Sequence, residues 1–221
     1  MSELEHCRLA YQGNLDGLKE KIETNNVEDL VHKKDQSGRT ALHWACVGGK
    51  KEIVDFLIEN YKLDLDDEDE TGWTPLMISS SIGSLPLVKL FLERKCDPNK
   101  PNINQQRPLH YACSKNYPAI VKELIENGAD CNLADRYGHT PLHRAASKGN
   151  LKIIEMLCGE FKASINKADI EGNTPLHFAC EEERIEACKV LLKYGANPDY
   201  KNKEEKTPID VSNGGLSNLI K

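Results

Sequence analysis

The 221-residue sequence predicts an all-α solenoid of seven helix-turn-helix repeats joined by β-hairpin loops. Three observations predict this fold class. A phrase such as TPLH recurs, its leucine returns every 33 or 34 residues, and an apolar stripe at helical spacing follows each copy. The marks are Leu42, Leu76, Leu109, Leu142 and Leu176, with Ile209 in the same slot. Such a period indicates supersecondary units that bury their apolar faces against one another.

Each part of the phrase has a physical reason, which the fifth copy, GHTPLHRAASKGN, illustrates. Gly138 suits a turn that needs positive φ. Thr140 can cap the first helix, and Pro141 fits at its first position. Leu142 and the alanines after it give that helix a small inner face, and Gly149 ends it. The following LKIIEML predicts a second helix with one apolar face.

The repeats are expected to form a single domain over residues 1–221. The approximate bounds of the repeats are 3–34, 35–68, 69–101, 102–134, 135–168, 169–201 and 202–221. The first repeat lacks TPLH and starts polar, as the end of a stack requires. The last repeat has Asp210 in the histidine slot and is expected to close the C-terminal end.

The fourth repeat departs from the pattern at two positions. Gln105 stands where the turn glycine is expected, and Arg107 replaces the capping threonine. Positive φ at a residue other than glycine costs about 1 kcal/mol. A lost cap costs about 1 kcal/mol more. The sequence therefore predicts a locally weak hairpin.

Charge and hydropathy exclude several classes of partner. The net charge of −6 argues against nucleic acid, because phosphate requires a basic stripe. No apolar run approaches the length of a membrane span, and the N-terminus lacks the basic and apolar regions of a secretion signal. We therefore expect neither nucleic acid nor membrane as a partner.

The eight cysteines indicate a reducing compartment. Cys46, Cys113 and Cys180 occupy one slot of the phrase, where other copies have Ala146 and Ser80. A slot that accepts cysteine, alanine or serine is a small buried position, in which reduced cysteine behaves as a small hydrophobe. The chain is therefore expected to be intracellular.

Three histidines of the phrase precede a cysteine by three residues: His43, His110 and His177. On a helix such a pair could ligate a metal or activate a thiolate. The alternative is structural, with the imidazole bonding turn backbone and the cysteine filling the core. Successive repeats lie roughly 8–10 Å apart, so the pairs cannot converge on one metal. His143 also keeps the slot with Ala146 in place of cysteine. The structural interpretation is favoured, with no metal and no cofactor.

No catalytic motif stands out from the periodic background. VGGKKE lacks the spacing of a phosphate-binding loop, and no Ser/His/Asp set or carboxylate pair is evident. The chain is therefore not expected to be an enzyme. The acidic run DLDDEDE, from Asp64 to Glu70, is either a solvated face or the acidic end of a groove for a basic partner.

Positions that vary between copies point to a protein-binding surface. Hairpin tips and the outward faces of the first helices are expected to form one concave surface. Aromatic residues and arginine, which are enriched at interfaces, occupy many of these positions, although packing on neighbouring helices is the alternative for the aromatics. The candidates are Arg39, Trp44, Glu70, Trp73, Tyr111, Lys115, Arg136, Tyr137, His139, Arg144, Lys148, Phe178, Glu181 and Glu182.

The period and the TPLH phrase resemble those of the ankyrin repeat. In order, DQSGRTALHWAC, GWTPL, LHYACSKN, HRAASKGNLKIIEML, EGNTPLHFACEEERIEA and NKEEKTP resemble the gankyrin family of proteasome assembly chaperones. This resemblance implies a monomer in cytoplasm and nucleus that clasps the C-terminal domain of one ATPase subunit of the 19S base. It also implies ion-pairing roles for Arg39 and Glu182. The alternative is a generic ankyrin adaptor or inhibitor of a kinase or transcription factor.

One segment departs from the family. Vertebrate members are linked to the retinoblastoma protein through a Leu-x-Cys-x-Glu segment, and here Phe178 stands in place of the leucine. Cys180 of this segment also occupies the core slot of the repeat. The other partners of vertebrate members are therefore not expected here.

Overall fold

A computed structural model describes residues 5–24 and 27–212, and the side chains of residues 27–29 are not described. Parts of the first and seventh predicted repeats, including residues 213–221, lie outside this description. The chain divides into two compact units, Met1–Ile103 and Asn104–Lys221. The described ranges contain helices and turns and no β-strand, so the predicted hairpin loops are tight turns.

The first unit contains seven helices in its described part. They are α1 (Glu5–Gln12), α2 (Leu15–Glu23), α3 (Val27–His32), α4 (Ala41–Val47), α5 (Lys51–Asn60), α6 (Pro75–Ile82) and α7 (Leu85–Glu93). The first helices of successive repeats pack together, α1 on α4 and α4 on α6, and each also packs on its own second helix. The short helix α3 was not expected from the sequence.

The second unit repeats this arrangement. Its helices are α8 (Pro108–Ser114), α9 (Pro118–Glu126), α10 (Pro141–Lys148), α11 (Leu151–Glu155), α12 (Pro175–Glu181) and α13 (Ile185–Lys193). Helix α10 packs against α8 and α12, and α11 packs against α9 and α13. Small fully buried side chains such as Ala112, Ala145 and Ala179 permit the close approach of the first helices.

The turn glycines meet two requirements at once. Gly138 has a φ of 84°, and a Cβ there would lie 2.8 Å from the Asp169 Cα of the next hairpin. Gly38 has a φ of 75°, and its Cβ would lie 2.7 Å from the Glu70 backbone nitrogen. The predicted positive φ is thus confirmed, and close backbone approach is a second reason for glycine.

The predicted first residue and end of α10 are confirmed, and of the predicted threonine caps Thr74 makes a side-chain bond to its helix. Pro141 occupies the first turn of α10, and Gly149 ends that helix in the left-handed conformation. Thr74 caps α6 by accepting the Met77 N–H at 3.2 Å. In the fourth repeat Gln105 does adopt positive φ, at 59°, and Arg107 makes no side-chain cap. Glu205 has the same strained conformation, at 60°, which sequence reasoning missed.

A π-helical segment, Met156–Glu160, follows α11. The interval from Leu142 to Leu176 is one residue longer than the usual 33. The wider turn is closed by the Phe161 N–H, which donates to the Met156 carbonyl at 3.0 Å. The segment lies in this longer interval and keeps Leu157 fully buried, whereas the equally long interval from Leu42 to Leu76 contains α-helices and turns only.

No helix in the described part of the chain combines the length and apolar character needed to cross a membrane.

Candidate partner-binding surfaces

The histidine of each phrase links its own turn to the next hairpin. The Thr140 backbone N–H donates to His143 Nδ1 at 3.0 Å, and His143 Nε2 lies 3.1 Å from the Asn173 carbonyl oxygen. Because that N–H can only donate, Nδ1 is the acceptor, and Nε2–H donates to Asn173. Equivalent links join His43 to Asp67, His110 to His139 and His177 to Lys206.

These four imidazoles are neutral structural groups. Burial lowers the pKa of each below its ordinary value of 6.5, to about 4 for His110 and His143. A second proton on His143 would sit on Nδ1. The ring would then present an N–H donor to the Thr140 N–H donor, and this hydrogen bond would be lost. Both ring nitrogens are therefore engaged, which favours the structural interpretation over a metal ligand.

The cysteines that follow these histidines lie in the core. Cys46, Cys113 and Cys180 are 0% exposed. Burial raises the pKa of Cys46 to about 12 and also raises that of Cys113. A thiol held protonated in the core is a poor nucleophile and a poor metal ligand. Within the described ranges no group of three or more His, Cys, Asp or Glu side chains could hold a metal ion.

Sequence reasoning missed the side chain that folds most of the hairpins, which is Asp35, Asp69, Asp135 or Asp169, with Asn202 in the last one. Asp135 Oδ1 accepts the backbone N–H groups of Tyr137 at 2.9 Å and His139 at 3.0 Å. Its Oδ2 lies 2.5 Å from Arg144 Nη2 and 3.6 Å from His139 Nδ1. Although burial opposes ionisation, His139 and Arg144 hold the pKa of Asp135 well below its ordinary value. Both candidates, Arg144 and His139, thus make contacts inside the protein.

Equivalent internal contacts engage two candidates in the first unit. Arg39 Nε lies 2.9 Å from Asp69 Oδ2, whose side chain is 2% exposed. Trp44 Nε1–H donates to Asp35 Oδ2 at 2.8 Å, and the Arg39 guanidinium lies over the indole, 5.4 Å from its centroid. Arg39 and Trp44 therefore stabilise the hairpins, whatever else they contact.

Three other aromatic candidates are half-buried. Tyr111 donates its hydroxyl to Gln106 at 2.7 Å, and Trp73 lies in the hairpin opened by Asp69. Phe178 packs edge-on against the His139 and His143 rings, at 5.0 and 5.4 Å between centroids. The packing alternative therefore holds in part for Phe178. The segment that begins at Phe178 also keeps its cysteine, Cys180, in the core.

The remaining candidates are exposed. In the second unit, α8, α10 and α12 lie side by side, and their C-terminal ends carry Lys115, Lys148 and the pair Glu181 and Glu182. The charge on this face therefore changes from positive to negative along the unit. The other exposed candidates lie at hairpin tips and are Glu70, Arg136 and Tyr137.

The hairpin tips are joined by backbone hydrogen bonds. In the second unit the Ile170 N–H donates to the Tyr137 carbonyl at 3.1 Å, and the Lys203 N–H donates to that of Glu171 at 3.0 Å. These tips expose apolar surface, since Tyr137 is 48% and Ile170 is 49% exposed. In the first unit Ile103 is 62% exposed. Sequence reasoning missed both isoleucines. An apolar residue at a turn position that is polar in the other repeats is the signal that could have found them.

The acidic run is held by lysines of neighbouring repeats. Lys34 Nζ lies 2.7 Å from Asp67, and Lys100 Nζ lies 2.9 Å from Glu68. These pairs favour a solvated structural face over a dedicated site for a basic partner.

Comparison with known proteins agrees with this architecture. The family model "Ankyrin repeats (3 copies)" matches residues 7–102, 76–169 and 109–202. The human ASB11 ankyrin repeat domain superposes with a TM-score of 0.83 at 25% identity, covering 96% of this chain and 93% of that one.

Among curated proteins, the chain is 40% identical to the probable 26S proteasome regulatory subunit p28 of Saccharomyces cerevisiae. That alignment covers 84% of this chain and 87% of the yeast protein. The 26S proteasome non-ATPase regulatory subunit 10 of Homo sapiens is 48% identical over 75 residues, which is 34% of this chain and 32% of the human protein. The mouse protein of the same name is 48% identical over 69 residues, or 31% of this chain and 29% of the mouse protein.

Proposed function

Since this chain belongs to the ankyrin-repeat family, and within it to the family of the yeast 26S proteasome regulatory subunit p28, we propose that it is a proteasome assembly chaperone. It binds the C-terminal domain of one ATPase subunit of the 19S base. Binding keeps that subunit off the core particle until the ATPase ring is complete. The observation that carries this proposal is the 40% identity, which extends over most of both chains.

The binding surface consists of the hairpin tips and the C-terminal ends of the first helices. Tyr137 and Ile170 offer apolar contact area at the tips of the second unit. Lys115, Lys148 and Glu182 add charges of both signs. Exposed ion pairs contribute only about 0–1 kcal/mol each, but they set register and partner choice at an interface.

This surface needs no catalytic group. The histidines and cysteines of the phrase serve the fold, and ankyrin repeats are a protein-interaction architecture. We therefore place the chain in the cytoplasm and nucleus as a non-enzymatic monomer that acts by steric occlusion.

The structure changes which residues test the proposal. Arg39 is held by Asp69 and over Trp44, so Arg39→Ala would disturb the hairpin as well as any interface. Glu182 is exposed and meets Arg184 only at 3.8 Å. The informative variants are therefore Glu182→Lys and Tyr137→Ala, because both side chains are exposed, although the Tyr137 ring also lies 5.9 Å from that of His139.

The experiment is calorimetric titration of the purified chain with the isolated C-terminal domain of each proteasomal ATPase, at two salt concentrations. We expect selective, salt-sensitive binding to one domain, weakened several-fold by Glu182→Lys and by Tyr137→Ala. The matched control is Glu155→Lys, the same charge change at an exposed position of a second helix. Binding to none of the domains would overturn the proposal and favour the generic adaptor.

A further inference from the structure

The first unit contains an open pocket that the proposed function does not explain. It has a volume of about 240 Å³ and is lined by Cys7, Arg8, Tyr11, Asp35 and Trp44. The Tyr11 and Trp44 rings form its walls edge to face, with centroids 6.0 Å apart at 88°. Water occupies roughly 30 Å³ per molecule in the liquid, so the pocket has the volume of about eight water molecules. This is enough room for one large side chain.

The carboxylate in the lining is already satisfied. Asp35 Oδ1 accepts the backbone N–H groups of Ser37 at 2.8 Å and Arg39 at 3.0 Å, and Oδ2 accepts the Trp44 indole N–H at 2.8 Å. Although burial opposes ionisation, these hydrogen bonds lower the pKa of Asp35. The Arg39 guanidinium already lies over the Trp44 ring. A cationic ligand in the pocket would therefore be repelled by Arg39. The Asp35 carboxylate, which could otherwise pair with it, already accepts three hydrogen bonds.

The rim carries a cation that remains accessible. The Arg8 side chain is 63% exposed, and its contact with Glu5 is long, at 3.9 Å. This local positive charge contrasts with the net charge of −6 for the chain. A ligand that combines an apolar group with a neighbouring carboxylate would complement the aromatic walls and Arg8 together.

We propose that this pocket is an anchor for one aromatic or large aliphatic side chain from an acidic segment of a partner protein. The apolar side chain packs between Tyr11 and Trp44, and a carboxylate beside it in the partner sequence pairs with Arg8. Single side chains contribute most to binding where they fill an aromatic pocket and exclude water from it. The inference deepens the proposed function, and it rests on that function only for the identity of the partner.

The test uses the full chain labelled with 5-fluorotryptophan. The sequence has two tryptophans, so Trp44 reports on the pocket and Trp73, which does not line it, is an internal control. Trp73→Phe assigns the two ¹⁹F resonances. The probes are acetyl-Phe-Glu-amide, acetyl-Ala-Glu-amide and acetyl-Phe-Lys-amide, each titrated to millimolar concentration.

We expect acetyl-Phe-Glu-amide to shift the Trp44 resonance saturably, several-fold more tightly than the other two probes, and to leave Trp73 unchanged. Arg8→Glu should reverse the preference between the glutamate and lysine probes. Lys62→Glu, the same charge change at another exposed position of the unit, should not. An unmoved Trp44 resonance, or equal or tighter binding of the lysine probe, would overturn the proposal.

A second titration separates the two hypotheses. The ATPase domain that binds the chain is added to the labelled protein, and acetyl-Phe-Glu-amide is then used as a competitor. A Trp44 shift that the peptide reverses supports the anchor within that interface. If the domain binds without changing Trp44, the pocket is not part of the interface, and the proposed function stands. If no domain binds while the peptide still shifts the Trp44 resonance, the proposed function fails, and the proposal that the pocket anchors a side chain stands.

Discussion

The buried histidines make a quantitative prediction about acid stability. His143 is held neutral in the folded chain, with a pKa lowered by burial to about 4 from the ordinary 6.5. The unfolded state therefore binds more protons between these values, and stability falls as pH decreases through this window. Near pH 5 the folded imidazole is about one-tenth protonated and the unfolded one almost fully, a difference of about 0.9 proton. This contributes a slope of about 1.2 kcal/mol per pH unit.

The variant that isolates this effect is His143→Gln. Glutamine is the usual capping-box residue at this helix position and can still accept the Thr140 N–H, but it does not titrate. Losing the bond to the Asn173 carbonyl should lower the free energy of unfolding by about 1–3 kcal/mol at neutral pH. Between about pH 6 and 4.5, the slope of stability against pH should fall by about 1 kcal/mol per unit.

The assay is urea unfolding followed by circular dichroism across this pH range. Ser147→Ala, on the same helix and without a titratable group, is the matched control and should keep the wild-type slope. The contrary result is that His143→Gln lowers stability while the slope of the wild-type protein is retained. That result would mean that His143 is not kept neutral by the fold.

Three further predictions concern the hairpins and the core. Gln105→Gly should stabilise the chain by about 1 kcal/mol, because it relieves positive φ, and wild-type amide exchange around Gln105 should be faster than in the fifth hairpin. Comparable exchange in both hairpins would contradict the predicted weakness. Arg144→Ala should cost about 3 kcal/mol in urea unfolding, because it removes the closest ion-pair partner of the fully buried Asp135 carboxylate. An effect below about 1 kcal/mol would show that water replaces the guanidinium. Cys46 and Cys113, which are 0% exposed, should react with a thiol reagent only after urea is added, since burial raises the pKa of both thiols. Rapid reaction of either thiol in the native chain would contradict this.

Much of the fold follows from the repeated phrase, because each of its residues has a local role. Threonine or proline at a helix start and the positive φ of a turn glycine depend only on nearby backbone, so Pro141, Gly138 and Gly149 could be placed from the sequence. The interval between phrases then located the helices. The structure matches these positions in both units.

Contacts between side chains of separate elements could not be predicted in this way. Asp135 folds its own hairpin, but its partner Arg144 comes from the following helix. Asp69, which holds Arg39, is contributed by a hairpin 30 residues away. The π-helical segment could not be predicted either, because two intervals have the extra residue and only one of them contains such a segment.

The sequence predicts where the candidate surface residues lie in each repeat. It does not predict which of them are exposed and which are held by contacts within the protein. Variable slots identify hairpin tips and helix ends, and the exposed tip residue Tyr137 and helix-end residue Glu182 were found this way. The sequence could not show that Arg39 and Trp44 are engaged by aspartates, since those aspartates belong to hairpins whose packing sets the contacts. It also could not show that Ile170 is exposed.

Amide exchange of the chain, with and without the ATPase C-terminal domain that it binds, tests most directly whether the hairpin tips and first helices form the binding surface. We expect added protection at the hairpin tips and first helices, including residues 135–148 and 169–182, with little change in the second helices such as α13. Protection confined to α9, α11 and α13, or no protection by any of the ATPase domains, would contradict this expectation.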